Sequence, residues 1–580
     1  MKMTNNRIYA SSAILLLFST LISVEGTGYL RGQHVGRELP VDDVVVDDLF
    51  EGNSFMNSDN NPVDAFLGIQ YATYSERFEP SEVLELTTNG SGFVIDATEY
   101  GDFCTQVPVP PPFGHELPPS SEDCLYLNIW RPSTAADIQK EDELLPVMVF
   151  IHGGAFFFGS GSEVLYNGSN LAGNENVIVV TINYRLGALG FLPTDKEGTG
   201  GMNGILDQIQ ALQWVQNYIH LFGGNPDLVT IWGESAGASS VLALSVIPQA
   251  KGLFKRAIVE SGEYGRFWSV KESKENLKSA MEQIDCGDKD CTIEDLKTME
   301  ASELFGLTSQ IHHPTYDSAV LPVDTPTLWA EGKINPTDII IGTNTYDNSL
   351  LLGDPENYIN NAKNGITASP EWNAFKLDTL DEERQQAAID AYSPSKYNGS
   401  IVEAVVQFGA DATFVCPQRE LAQVAAENID GKVYNYVFGY LSKYDIASDQ
   451  GILDKANITD NDSWASHGAE APFVFGNNAI LAAPSYESDT PFSKKDKRLS
   501  TEMMQRWANF ARYGTPFTSD HIGSNKKKDE WTPVVPSLDG NATAADLNYL
   551  LFTGNGGTAM QSDKQKMEQC SAIYISPLAT

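Results

Sequence analysis

Short apolar runs alternate along this chain with stretches whose apolar residues recur every three or four positions. Leu145–Ile151 is an almost unbroken run, and Val177–Ile182 is another. Arg256–Glu260, Asp338–Gly342 and Val433–Phe438 repeat the pattern, some with polar ends. Such runs predict strands buried on both faces. Ile209, Leu212, Val215, Ile219 and Phe222 recur at helical spacing and predict a helix between Asp207 and Gly223. Gly223-Gly224-Asn225-Pro226 stops it. A strand ending at Trp232 follows, then an Ala/Ser/Leu-rich helix to about Val246. Strands separated by helices predict an α/β fold with a large, mostly parallel central sheet and helices on both faces. Reactive groups in such folds collect at the carboxyl ends of the strands.

One of those ends carries Gly233-Glu234-Ser235-Ala236-Gly237. Gly-x-Ser-x-Gly between a strand and a helix exposes a serine on a tight turn, where only small neighbours avoid a clash. The motif also occurs in ordinary glycine-rich turns. Here the strand before it and the helix after it supply the context that a nucleophile needs. The N–H of Ala236 would point out of the helix N-terminus, toward a developing oxyanion. A second glycine turn, His152-Gly153-Gly154-Ala155, follows the strand ending at Ile151. Backbone N–H groups there can approach an oxyanion without side-chain obstruction, whereas His152 reads as a structural residue.

A serine hydroxyl needs a base, and the base an orienting acid. In this kind of fold the chain order is serine, acid, histidine. His467 and His521 both lie far enough beyond Ser235 to leave room for the acid, and position favours His467. His312-His313 reads as a surface or pocket-wall pair. No His/Cys/Asp/Glu cluster has metal-ligand spacing, so neither a metal nor a cofactor is expected.

The 580 residues, 42% of them hydrophobic, suffice for a large core. Lys2, Arg7 and the apolar stretch Ala13–Phe18 with Leu21-Ile22 give residues 1–26 the character of a signal peptide. The apolar run falls short of the ~20 residues of a spanning helix, so a cleaved leader is preferred to an anchor. Residues 27–60 read as an acidic and polar spacer, either a pro-segment or a flexible arm, and 61–580 as the folded domain. Asn89, Asn167, Asn398, Asn457, Asn461 and Asn541 stand in glycosylation sequons, which fits a secreted glycoprotein. The net charge of −39 opposes binding to nucleic acid or to anionic membranes. It is read first as a solubility feature and second as attraction for cationic substrates. Six cysteines on a secretory route suggest disulfides, but composition does not choose among their pairings.

Further motifs carry a resemblance. Glu122-Asp123-Cys124-Leu125-Tyr126-Leu127-Asn128-Ile129-Trp130, Asn183-Tyr184-Arg185-Leu186-Gly187, Trp507-Ala508-Asn509-Phe510-Ala511-Arg512 and the stretch from Asp207 through Ala238 are similar to those of type-B carboxylesterases. That family includes cholinesterases and some fungal lipases, and the likeness covers roughly residues 60 to 575. It implies an α/β-hydrolase fold. It also implies a Ser235–His467–Asp347 triad, an oxyanion hole from the N–H groups of Gly153, Gly154 and Ala236, and Glu234 and Ser261 as supporting neighbours. The family's acid motif, Gly-x-Asn-x-x-Glu-Gly, reads here as Gly342-Thr343-Asn344-Thr345-Tyr346-Asp347-Asn348. Asp347 is one methylene shorter than the usual Glu, so its loop must come closer to the histidine. Asp317 is the rival acid.

The resemblance further implies disulfides Cys104–Cys124, Cys286–Cys291 and Cys416–Cys570. It implies structural ion pairs Arg77–Glu122 and Arg185–Asp207, and places Trp268 on an acyl-pocket wall or in the core. The Cys104–Cys124 loop has no tryptophan for stacking on a choline cation, and it is short and proline-rich for a lipase lid. The expected activity is hydrolysis of soluble or moderately hydrophobic carboxylic esters. A triacylglycerol lipase is the first alternative, and a non-catalytic binding or adhesion module the second.

Overall fold

The computed structural model describes most of residues 50–573. Residues 1–49 and 574–580, and internal stretches including 87–94, 108–119, 195–199, 285–290, 349–359, 446–452, 455–463, 518–530 and 537–546, lie outside the described residues. The expected leader, most of the expected spacer, the centre of the Cys104–Cys124 loop, Cys286 and His521 therefore fall outside them.

An eleven-stranded sheet dominates the molecule. Its strands are β1 (Asn53–Met56), β2 (Pro62–Gln70), β3 (Tyr126–Pro132), β4 (Leu145–Ile151), β5 (Ile178–Ile182), β6 (Gly224–Glu234), β7 (Arg256–Glu260), β8 (Asp338–Asn344), β9 (Val433–Gly439), β10 (Asn548–Thr553) and β11 (Thr558–Ser562). Their spatial order is β1-β2-β3-β5-β4-β6-β7-β8-β9-β10-β11. Neighbours from β5 through β10 in that order are parallel. Both flanks are antiparallel. The expected parallel sheet is thus the centre of a larger mixed one. Residues 53–56 already pair with β2, so the folded body begins before the expected boundary at residue 61.

The helices that matter here are α1 (Asn203–Tyr218), α2 (Ala236–Leu244), α3 (Ile401–Ala410), α4 (Cys416–Asn428), α5 (Ala471–Phe475), α6 (Lys494–Tyr513) and α7 (Lys564–Ile573). Alternation along the central strands divides the core. Val147, Val149, Ile151, Ile231, Val259 and Ile341 point to one face, where α1, α2 and α4 add Ile209, Leu212, Val241 and Leu421. Met148, Phe150, Trp232, Ile258, Ile340 and Tyr436 point to the other, against Met503, Trp507 and Phe510 of α6. Each such side chain, fully buried, stabilises the fold by ~1.5–3 kcal/mol. Burial on both faces explains the lack of polar alternation in the sequence.

Ion pairs anchor the loops around this sheet. Arg77 pairs with Glu122. Arg185 Nε and Nη2 each lie 2.7 Å from an oxygen of Asp207, which is fully buried and also accepts from Ser81. Cys104–Cys124 and Cys416–Cys570 are bonded, and Cys291 is disulfide-bonded as well. Among the described residues no helix is long and apolar enough to cross a membrane. Asn398 is exposed at a left-handed turn, and Asn167 is half-buried.

Asp207→Asn leaves the Arg185 guanidinium buried without its counter-charge. The expected loss is ~3–5 kcal/mol, read as a lower midpoint of denaturant unfolding, with Arg77→Met, whose partner is half exposed, losing much less.

Candidate active site

Ser235 sits between β6 and α2 at φ 56° and ψ −122°. An L-residue held there is strained by ~1–3 kcal/mol. The turn closes only because its flanking glycines have no side chains. A Cβ on Gly237 would lie 1.9 Å from the Ile151 carbonyl oxygen, and one on Gly233 would lie 2.5 Å from the Gly237 backbone. Ser235 N–H donates to the Glu260 carbonyl at 2.9 Å, which fixes the elbow against β7. The side chain is half exposed. Ala236 opens α2, so its N–H has no intrahelical acceptor.

The glycine turn after β4 lies beside this elbow. A Cβ on Gly153 would lie 3.1 Å from Ser235 Cβ and 2.8 Å from Glu234 Oε2. Gly154, Ala155 and Phe156 follow at φ 104°, 50° and 64°. Gly153 is buried, whereas Gly154 and Ala155 are half exposed. His152 is buried beneath them, stacked on Tyr184 with ring centroids 4.4 Å apart. Burial pushes it down to about 4, against a hydrogen bond with Gly153, so it is neutral. This agrees with its reading as a structural histidine.

His467 precedes α5 in a loop pinned by Asp445, which accepts from Ser466 N–H at 2.8 Å and Ser466 Oγ at 2.7 Å. The imidazole is buried. Its Nδ1 lies 2.7 Å from Asp347 Oδ1. Asp347 Oδ2 accepts from Ser261 Oγ at 2.7 Å and from Asn344 N–H at 2.9 Å. The shorter acid reaches because its loop is stitched to the histidine loop. Tyr346 N–H donates to Ala465 O at 3.0 Å, and Asn344 Nδ2 to Ser466 O at 2.7 Å. Asp317 is exposed and makes no such contact.

His467 Nε2 faces Glu234 Oε1 at 3.3 Å, and neither atom has a hydrogen-bond partner among the described residues. Ser235 Oγ is not bonded to His467 in this conformation. Serine–base contacts of this kind often tighten only with substrate in place.

Buried acids crowd the imidazole. Burial pushes Glu234 up to about 7, opposed by His467 and helped by Asp347. Burial pushes Glu470 up to about 8, with Glu234 and Asp347 adding to the rise. Glu260, which accepts from Trp507 Nε1 at 2.7 Å, is raised well above the carboxylate range by burial and by Glu470. Burial works against the charged form of His467. Glu234, Asp347 and Glu470 outweigh it and lift the group to about 9.

Beside the glycine turn, Trp268, His312, His313 and Phe157 form one aromatic cluster. Ring centroids are 4.6 Å apart for Trp268–His313 and 5.4 Å for Phe157–His312. His312 and His313 thus pack against each other and against Trp268. Among the described residues no His/Cys/Asp/Glu group is arranged to hold a metal.

Sequence patterns missed Phe414, whose ring stacks on His467 at 4.4 Å. They also missed the buried carboxylate of Glu260. Its only signal was an acid at the carboxyl end of a strand that neighbours the serine turn.

A model of the carboxylesterase family matches residues 49–570. The chain belongs to the carboxylesterase family. It is 34% identical over 476 residues to the para-nitrobenzyl esterase of Bacillus subtilis (strain 168), covering 79% of this chain and 88% of that one. It is 32% identical to carboxylesterase 1E of Mus musculus, covering 86% and 90% of the two chains. To the bile salt-activated lipase of Rattus norvegicus it is 30% identical, covering 84% and 78%. A solved PNB esterase structure superposes with a TM-score of 0.67 at 28% identity, covering 91% of this chain and 98% of that one. The fold is that of the α/β-hydrolases, and the enzyme is a carboxylic ester hydrolase.

The charge on Glu234 raises the affinity of His467 for its proton. Glu234→Gln removes that charge, so the acid limb of kcat/KM is expected to move to lower pH; an unmoved limb would show that Glu234 does not act on the imidazole. Gly237→Ala forces its methyl into the Ile151 carbonyl, and the expected result is loss of soluble protein or of nearly all ester turnover, measured against wild type at equal concentration.

Proposed function

We propose that this enzyme is a secreted serine carboxylesterase working through an acyl-enzyme. Ser235 Oγ attacks the ester carbonyl as His467 takes its proton. Asp347 holds the imidazole through Nδ1 and stabilises the imidazolium. His467 returns the proton to the leaving alcohol, and water then resolves the acyl-enzyme by the same route. The observation that carries this reading is the 2.7 Å contact between His467 Nδ1 and Asp347 Oδ1, in a loop system that brings Nε2 to the residue preceding Ser235.

The oxyanion would be met by the N–H groups of Gly154 and Ala236. The expected third donor was Gly153. Burial favours Ala155 instead, because Gly153 is packed beneath Glu234 while Gly154 and Ala155 are half exposed. N–H donors aimed at the developing charge do much of the work in such sites.

Secretion is supported by the leader-like sequence of residues 1–26 and by the disulfides Cys104–Cys124 and Cys416–Cys570, which persist in oxidising compartments. The substrate reading is a soluble or moderately hydrophobic ester. The similarity to a bile salt-activated lipase keeps a lipid ester as the second reading.

Ser235→Ala is expected to lower kcat on p-nitrophenyl esters by at least ~10³-fold; full activity in that variant would overturn the assignment. Across acetyl to palmitoyl esters, a maximum at short chains supports the carboxylesterase reading, and one at long chains the lipase.

A further inference from the structure

We propose that Phe414 is a positioning residue for His467: its ring face fixes the plane of the imidazole and stabilises the imidazolium formed when the serine gives up its proton. This rests on the esterase reading above.

The ring arrives there by an unusual route. α3 and α4 are joined without a loop by a π-helical turn, Asp411–Val415. Pro417 supplies a reason. It has no N–H to donate to the Thr413 carbonyl, and its ring would clash with that carbonyl in a regular helix. A wider turn relieves the conflict, and such turns occur often at functional sites. The wide turn carries Phe414 to His467, where the rings stack at 4.4 Å with 29° between their planes.

The turn is held from several sides. The fully buried carboxylate of Asp411 accepts from Lys566 Nζ at 2.8 Å on each oxygen, from Tyr392 OH at 2.8 Å and from Gln407 Nε2 at 2.9 Å. Gln407 also donates to Thr345 O at 3.1 Å, in the loop of Asp347. Gln418 donates to Gly262 O, next to Ser261. The Cys416–Cys570 disulfide and Lys566 tie the turn to α7. Phe414 is therefore fixed relative to Asp347 and Ser261 by independent contacts.

A hydrogen bond at Nδ1 fixes one point of the imidazole but leaves the ring free to pivot about it. A flat face 4.4 Å away removes that freedom. The same face attracts a cation, more strongly when water is excluded. The other charged or ionisable groups facing the imidazole are Glu234 at the end of β6, Asp347 after β8 and Glu470 before α5, with Glu260 of β7 beyond Glu470. None of them changes in a Phe414 variant.

The test compares Phe414→Leu, Phe414→Tyr and wild type, full chain, by kcat, KM and the pH profile of p-nitrophenyl acetate hydrolysis, with Ser235→Ala as control. Phe414→Leu keeps an apolar filler but loses the aromatic face. It is expected to lower kcat roughly three- to thirtyfold, with KM little changed, and to move the acid limb down by about half a unit to one unit. Phe414→Tyr retains the face and is expected to restore both. If the leucine variant does not fold, Phe414→Met serves in its place. A leucine variant with wild-type kcat and limb, or leucine and tyrosine variants equally impaired with an unmoved limb, would reduce Phe414 to a space-filler. Undiminished turnover in Ser235→Ala would instead overturn the esterase reading itself.

Discussion

The site depends on a backbone contact between two parallel strands. β4 and β6 are neighbours, and the helix leaving β6 starts so close to the end of β4 that a Cβ on Gly237 would run into the Ile151 carbonyl. That approach sets Ser235 beside the glycine turn after Ile151. It therefore brings the candidate nucleophile and the candidate oxyanion donors together before any side chain is considered. The strain at Ser235 is the local consequence. It is tolerated because β7 accepts the Ser235 N–H and because α2 buries Val241 and Leu242 in the core.

Around that contact the protein buries more carboxyl groups than it has cations to match. Glu234, Asp347 and Glu470 face one imidazole, and Glu260 lies beyond Glu470. Burial raises the proton affinity of Glu234, Glu260 and Glu470. The surroundings of the four differ. Asp347 receives hydrogen bonds from Ser261, Asn344 and His467. Glu260 is driven toward the protonated form by burial and by Glu470, and Glu470 by burial, Glu234 and Asp347. Burial pushes Glu234 up to about 7, and its carboxyl faces an imidazole Nε2 that has no hydrogen-bond partner among the described residues.

Much of this was legible in the sequence. The central strands are buried on both faces, so they appear as apolar runs, and the serine turn needs glycines that any reader can see. Asp347 and His467 were legible through motif similarity. The antiparallel flank was not. β1 is exposed throughout, so Asn53–Met56 has no buried side to mark it and merges with the polar stretch before it. Phe414 was hidden for a different reason. Helical periodicity assumes a constant rotation per residue, and the π-turn breaks it. Pro417 was the visible sign that the helix could not continue regularly.

The two core layers meet at the acid cluster, which ties the loops of the site to the packed sheet. α2 supports Ser235 from one face of the sheet. From the other, α6 sends Trp507 Nε1 to Glu260 on β7, and α5 continues from the Glu470 turn into the packing of Phe473 and Phe475. Asn344 at the end of β8 joins Glu470 to the Asp347 loop, donating to Glu470 Oε2 at 2.6 Å. A displacement of α6 would therefore act on the carboxyl groups around His467, not only on the hydrophobic layer. The polar cluster and the apolar layers hold each other in register. The buried acids, costly as isolated groups, are retained where their hydrogen bonds orient the groups proposed to react.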